Sequence, residues 1–220
     1  MICPEFHTAA QRLLPQRAVY LQEYRALLIA DAHFGKAAAF RRQGVPVPRG
    51  TTAANLAVID ALLQSTGAQH VVFLGDLFHS SVALGSRVAV QWRDWRRAHA
   101  AIDVTLVEGN HDAKAFKQAP LPADFGIALH SEPFALGPFA LCHHPQHVPG
   151  RYVLCGHVHP GFRLQGRAAD SVRLPCFWFG AQCGVLPAFG EFTGSHVVQP
   201  SPGDRVYVIA GDAVLPVPGY

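Results

Sequence analysis

Nowhere does this chain carry an apolar run approaching the roughly 18 residues that a membrane-spanning helix needs, so no membrane span is expected. Cysteine is scarce and shows no pairing pattern. The five residues Cys3, Cys142, Cys155, Cys176 and Cys183 include no Cys-x-x-Cys, which leaves a zinc ribbon or a thioredoxin-like site unsupported. The opening Met1-Ile-Cys-Pro-Glu-Phe-His7 lacks an apolar h-region. Together with the odd cysteine count, this favours a reducing compartment and a cytoplasmic location. Charged residues make up only 15% of the chain against 50% hydrophobic, a balance that excludes extensive disorder and supplies a sizeable core. No internal repeat, low-complexity tract or linker divides the 220 residues, so residues 1–220 read as one domain. The net charge of +3 is mildly basic, compatible with a phosphate-bearing substrate but no proof of one.

Histidine, by contrast, is abundant at thirteen residues, and imidazole is a common ligand of transition metals. Several histidines recur in one kind of place. The apolar run Val104-Thr-Leu-Val ends in Glu108-Gly-Asn-His-Asp112, where Asn110, His111 and Asp112 offer a carbonyl oxygen, an imidazole and a carboxylate at what reads as one loop tip. Gly109 is expected to let the chain turn there. Three other strand-like runs end similarly, at Asp31-Ala-His33, Gly75-Asp76 and Gly156-His-Val-His159. Loops at the carboxyl ends of strands are where α/β folds place ligands. We read these four stretches as parts of one metal centre.

Periodicity places the motifs on elements. Ala18–Leu21 and Ala26–Ala30 flank a polar turn, as in a hairpin. An alanine-rich stretch up to Gly44 suggests a short helix, and proline-rich residues 45–50 a loop. Thr51 or Thr52 is expected to cap a helix bearing Leu56, Ile59 and Leu63 on one face and stopped by Gly67. A strand follows over 70–74, then a helix from a Ser86 cap to Ala101, then a strand over 103–107. Trp92 and Trp95 are expected in the core. Beyond residue 125 short strands dominate, including a 134–142 hairpin, 152–155, 162–164, 172–179, 196–198 and 205–209, with Gly211-Asp212 turning the last pair. Strands alternating with helices, then mostly strands, predict an α/β fold of two mixed sheets packed face to face.

Singly, each motif has an ordinary explanation. Asp31 with His33 could be a turn carboxylate and an exposed imidazole, and Gly75-Asp76 is a common strand-end turn. Two histidines at i and i+2 in extended chain point to opposite faces, so His157 and His159 can share a centre only across a bend, which Gly156 is expected to allow. The joint occurrence decides. Two aspartates, an asparagine and at least four histidines, each after an apolar run and with no cysteine among them, are not what scattered polar turns produce.

Asp31-x-His33, Gly75-Asp76, Gly109-Asn-His-Asp112, His143 and Gly156-His-x-His159 resemble, in order and spacing, the calcineurin-like metallophosphoesterases. The likeness extends to a bacterial branch, the DNA-ligase-associated endonucleases, through Phe34-Gly-Lys36, Gly44-Val-Pro-Val-Pro48, Leu174-Pro-Cys-Phe-Trp178 and Leu186-Pro-Ala-Phe-Gly-Glu-Phe-Thr-Gly194. The resemblance implies a four-layer α-β-β-α sandwich and two divalent ions. Asp31, His33, Asp76 and His159 would bind one, and Asp76, Asn110, His143 and His157 the other, with Asp76 bridging. It implies a metal-bridging hydroxide as nucleophile. His111 would serve as general acid, its ring held by Asp112. Mixed nitrogen and oxygen donors suit Mn²⁺, Fe²⁺ or Zn²⁺ better than Mg²⁺, and the resemblance favours manganese.

His143 is preferred over His144 because the family has its histidine directly after the strand. His144, His79 and Lys36 are candidate substrate contacts, and Arg41, Arg42, Arg93, Arg96 and Arg97 could track a nucleic-acid backbone. The implied function is a phosphodiesterase or endonuclease acting on DNA in repair, with a DNA ligase and helicase or nuclease components as partners. Two alternatives stay open: a phosphomonoesterase on a small molecule or nucleotide, and a non-catalytic docking subunit of a ligase or helicase complex.

Overall fold

The structure, a computed structural model, describes residues 11–166 and 170–219; Cys3 and the opening stretch through His7 lie outside the described residues. Its first sheet contains β1 (Gln11–Leu14), β2 (Ala18–Leu21), β3 (Ala26–Ile29), β4 (His70–Leu74), β5 (Asp103–Val107) and β6 (Ala128–His130), side by side in chain order. The first three are joined as antiparallel neighbours, and β3 to β6 run parallel. Parallel neighbours need crossovers. These are α1 (Lys36–Arg42) and α2 (Thr51–Thr66) after β3, α3 (Ser81–Leu84) and α4 (Arg87–Ala98) after β4, and α5 (Asn110–Gln118) after β5. The carboxyl ends of β3, β4 and β5 therefore share one edge.

The second sheet is built from β7 (Phe134–Leu136), β8 (Phe139–Leu141), β9 (Tyr152–Cys155), β10 (Pro160–Gln165), β11 (Ser171–Phe179), β12 (Cys183–Val185), β13 (His196–Val197), β14 (Arg205–Ala210) and β15 (Ala213–Pro216). Its order is β13-β10-β11-β12-β9-β8-β7, with β14 on β11 and β15 on β14. β8 and β9 are parallel, so their carboxyl ends also coincide.

Alternation along the strands builds the layers. Leu28, Ala30, Val72 and Leu74 face Phe139, Leu141, Leu154, Phe177 and Phe179 between the sheets. Their neighbours Leu27, Ile29, Val71 and Phe73 face Leu56, Ile59 and Leu63 of α2 and Trp92 and Trp95 of α4. Burying each such large side chain stabilises the fold by about 2 kcal/mol. The expected class, an α/β sandwich of two mixed sheets, is what the chain adopts. Every α-helix among the described residues comes from residues 36–118.

Trp92 and Trp95 are core residues, and Cys142, Cys155 and Cys176 are buried free thiols. The Ser86 side chain caps α4 by accepting from the Val88 N–H at 3.2 Å. Gly67 ends α2 in the left-handed region, its N–H 2.9 Å from the Leu63 carbonyl oxygen. Three expectations differ, the first being that α4 ends at Ala98 and not at Ala101. Thr51 and Thr52 do not cap α2, whose N-cap is Gly50 in the left-handed region without a side-chain bond. Strands β1, β6 and β12 answer to no expectation from the sequence. Residues 110–112 are the first turn of α5 rather than a loop tip; that helix buries only Asp112 and Ala115, which leaves almost no apolar stripe to read.

Candidate metal centre

The shared edge gathers the expected donors. Asp31 follows β3, Asp76 follows β4, Asn110 begins α5, His143 follows β8, and His157 and His159 lie between β9 and β10. Asp31, His33, Asp76 and His143 are buried. Five of the donor residues, Asp31, His33, Asp76, His157 and His159, hold backbone φ between 46° and 66°, the left-handed region. Asp and His tolerate it better than most residues, at a cost of about 1–3 kcal/mol each when non-glycine backbone is held there. Backbone bonds between the loops hold them: Asp31 N–H to the Gly75 carbonyl at 3.3 Å, and His33 N–H to the Asp76 carbonyl at 2.9 Å.

The two glycines expected to supply bends do something else. Gly109 is extended, at φ −95° and ψ 174°, and a Cβ there would lie 2.4 Å from both the backbone nitrogen and Oδ1 of Asp76. Gly156 is outside the left-handed region, and its Cβ would lie 2.5 Å from Asp31 Oδ2. Both are needed because a carboxylate passes close by. The bends belong to the candidate donor residues themselves.

Asp76 stands between two donor groups. Its Oδ2 is 3.9 Å from His33 Nε2, and its Oδ1 is 3.6 Å from His143 Nε2. On one side, Asp31, His33 and His159 bring donor atoms within 4.8 Å of one another, with His159 Nε2 3.3 Å from Asp31 Oδ1. On the other, Asp31, Asp76 and His143 do the same, as do His143, His144 and His157. His143 Nδ1 is 3.1 Å from the Leu74 carbonyl, so that nitrogen carries the proton. Its Nε2 lone pair then faces Asn110 Oδ1 at 3.0 Å and His157 Nδ1 at 3.1 Å.

These contacts fit cations. Asp31 Oδ1 and both ring nitrogens of His33 are buried with no hydrogen-bond partner. Among the described residues no lysine or arginine makes an ion pair with Asp31 or Asp76; the ion pairs they make are with histidines. Burial, then the nearby Lys36 and histidines, pushes His33 down to about 2, so it is a neutral donor. Buried carboxylates without countercharge are costly, and divalent ions supply that charge.

Asp112 departs from its expected part. Successive residues on a helix do not face each other, and its carboxylate turns away from the His111 ring. It accepts from the N–H groups of Gly109 at 3.1 Å, Phe78 at 3.1 Å and Leu77 at 3.3 Å, tying α5 to the loop after Asp76. Burial pushes its pKa up to about 7 despite those bonds. His111 is held instead by its Nδ1 on the His79 carbonyl at 3.1 Å and by stacking on the His79 ring, centroids 5.2 Å apart. Its backbone N–H donates to Asp76 Oδ1 at 2.8 Å.

Lys36 is half-buried at the start of α1, close enough for Asp31 and Asp76 to act on its charge; burial lowers its pKa. His144 is on the rim, its side chain 41% exposed. A residue not singled out in the sequence organises this corner. Glu132 accepts from the backbone N–H groups of His143 and His144 at 2.7 and 3.0 Å, and contacts the His144 ring at 2.8 Å. Burial pushes Glu132 up, but these bonds outweigh it and its pKa ends below the ordinary value. No local pattern marks a lone glutamate in a loop. The α4 arginines are engaged locally: Arg93 with Asp124, Arg97 with Asp94 and Arg96 with the His99 carbonyl.

Carboxylate, amide and imidazole donors without thiolate, gathered at strand ends between two sheets, define an α/β protein with a site for hard or borderline divalent metals. Residues 24–143 match the model of the calcineurin-like phosphoesterase family, and the chain belongs to that family. Among solved structures it is similar to Pseudomonas putida nuclease MPE, with 40% identity over 98% of both chains and a TM-score of 0.83. Yfce, a phosphoesterase from E. coli, aligns at 15% identity over 86% of this chain and 90% of its own, with a TM-score of 0.42. No curated protein matches by sequence. No helix among the described residues is long and apolar enough to cross a membrane.

Proposed function

We propose that this protein is a phosphodiesterase with two metal ions that cleaves DNA, acting in the cytoplasm in ligase-associated repair, with all 220 residues forming one domain. The observation that carries this reading is the position of Asp76, one carboxylate oxygen toward each donor group. The likeness to a nuclease, 40% identical over 98% of both chains, supports a nucleic-acid substrate. Branch motifs such as Gly44-Val-Pro-Val-Pro48 support the ligase association, with helicase or nuclease components as further partners.

Asp31, His33, Asp76 and His159 would hold one ion, and Asp76, Asn110, His143 and His157 the other. Manganese is the first choice, with iron(II) and zinc(II) next. When bound, such a pair supplies Lewis-acid charge at the phosphoryl oxygens and brings the pKa of water toward neutrality. The chain does the rest. Leu74 fixes the His143 tautomer through its carbonyl, leaving Nε2 as the donor. His111, whose Nδ1–H points at the His79 carbonyl, would carry a second proton on Nε2 as the imidazolium, give that proton to the departing oxygen and be left neutral. The positive end of α5 favours negative charge at the same place. Asp112 acts as a positioning residue, locking α5 against the Asp76 loop.

The test is hydrolysis of bis(p-nitrophenyl) phosphate by purified protein with Mn²⁺, lost in Asp76→Ala. Much faster turnover of p-nitrophenyl phosphate would replace the diesterase reading with a monoesterase one. No hydrolysis of either ester at any metal loading would overturn it.

A further inference from the structure

Beside the metal centre lies a small cavity of about 80 Å³ that none of the motifs above accounts for. His159, one of the proposed ligands, forms part of its wall, together with Arg17, Pro175, Thr193 and Ser195. Arg17 sits at the β1–β2 turn in the left-handed region, φ 62°. Its guanidinium donates to the Ala188 carbonyl at 3.3 Å. Burial pushes its pKa down, partly offset by Glu191 nearby, which makes no ion pair with it. Thr193 Oγ1 is buried there without a hydrogen-bond partner. A half-buried cation and an unmatched hydroxyl next to a hydrolytic centre are what an anion would satisfy.

The positive charge continues onto the second sheet. Arg163 of β10 and Arg173 of β11 are direct antiparallel partners, so both side chains stand on one face, the face that also carries Pro175. Both are exposed, and among the described residues neither has a carboxylate within ion-pair distance. Arg173 reaches the Ser195 carbonyl at 3.3 Å, which joins the pair to the cavity. Like charges directly opposite across a ladder destabilise it. The chain nevertheless keeps two arginines there, whereas Arg93 and Arg97 of α4 each have an aspartate.

We infer that the Arg17–Thr193–Ser195 cavity and the Arg163/Arg173 face form a track for the phosphates of a nucleic-acid strand that flank the one being cleaved. The inference rests on the phosphodiesterase reading and adds a direction: from the centre past His159 and out along β10 and β11. The α4 arginines, Arg93 and Arg97, are paired with aspartates and lie outside this track.

The experiment uses the full chain carrying Arg163→Ala with Arg173→Ala, and separately Arg17→Gln. Binding of fluorescein-labelled single-stranded DNA and RNA oligonucleotides is measured with chelator across a salt series. Hydrolysis of an oligonucleotide and of bis(p-nitrophenyl) phosphate is measured with Mn²⁺. The double variant should bind whichever polymer the wild type binds about tenfold more weakly, and the slope of log affinity against log salt should flatten by about 1.4, from about 0.7 per phosphate contact on a single strand. Its kcat/KM on the oligonucleotide should fall much further than on the small diester. Wild-type affinity and slope in the double variant, or no binding of either polymer by the wild type, overturns the track. Because the arginines of the pair are exposed, they test it even if Arg17→Gln does not fold. Absence of small-diester hydrolysis by the wild type would instead sink the phosphodiesterase reading, while the binding data stand separately.

Discussion

Asp31 Oδ2 accepts the backbone N–H of His157 at 2.8 Å, joining loops 126 residues apart in the chain. The strand end of the first sheet is thereby tied to that of the second, where donor residues from both come together.

That approach leaves no room for a side chain at position 156. A Cβ there would meet Asp31 Oδ2 at 2.5 Å and Ala30 Cβ at 2.8 Å. Gly156→Ala should force the two loops apart, with a loss of about 1–3 kcal/mol in stability and a larger loss of bound metal. Metal content by elemental analysis, set beside a urea unfolding curve, checks both. Full metal loading in a variant that unfolds at the wild-type urea concentration would contradict the crowding seen here.

Replacing Asp76 by asparagine keeps its shape but removes the charge between the two donor groups. Hydrolysis of bis(p-nitrophenyl) phosphate should drop by more than about a hundredfold, since even outer-shell changes cost 10–100-fold. In chelator the same variant should melt no lower than wild type, because a buried carboxylate without a countercharge has gone. A lower melting temperature without metal would mean that Asp76 is chiefly a structural acceptor.

His111 can be separated from metal binding by its leaving-group dependence. His111→Gln should retain its metal and lose about 10²–10⁴-fold on an oligonucleotide, whose alkoxide leaving group needs a proton. The loss should be much smaller on a p-nitrophenyl ester, whose leaving group departs unprotonated. Equal losses on both substrates would remove His111 from the acid role.

Asp112→Ala orphans three N–H groups, those of Gly109, Leu77 and Phe78. At about 1 kcal/mol or more each, stability should fall by roughly 3 kcal/mol, read from the urea midpoint of the metal-free protein. Asp112→Asn keeps an acceptor oxygen and should cost less.

His70 sits on β4 at the opposite end from the centre, its Nε2 2.8 Å from Thr105 Oγ1. Burial, opposed by Asp103, holds its pKa below the ordinary 6.5. Below pH 6.5 the unfolded chain gains a proton there that the folded chain resists. The stability His70 contributes is therefore complete above its unfolded pKa and is lost as pH falls through the folded one. In His70→Gln the melting temperature should fall less steeply than in wild type as the pH is lowered below 6.5. Parallel curves would show that the shift is not realised.

Much of this could be seen along the chain. Runs such as Val71–Leu74 and Tyr152–Cys155 are buried on both faces and so read as continuous apolar strands, and the polar residues that end them stand out by contrast. The helix α5 was hidden because its first turn is made of Asn110, His111 and Asp112, residues chosen for their contacts and not for propensity. Glu132 and Arg17 were hidden for another reason. Each acts on residues far away in sequence, His143 and the Ala188 carbonyl, and has no neighbour whose spacing betrays it.

Residue order alone determined which side chains end the strands and which periods build the sheets, because hydrophobic alternation and donor chemistry are local properties. Only the packed chain decided how those side chains are aimed. Left-handed backbone at Asp31, His33, Asp76, His157 and His159, the turn of Asp112 toward backbone amides instead of His111, and the meeting of Arg17 with His159 around one cavity all depend on contacts between distant loops. Such contacts have energies that exist only once both partners are in place.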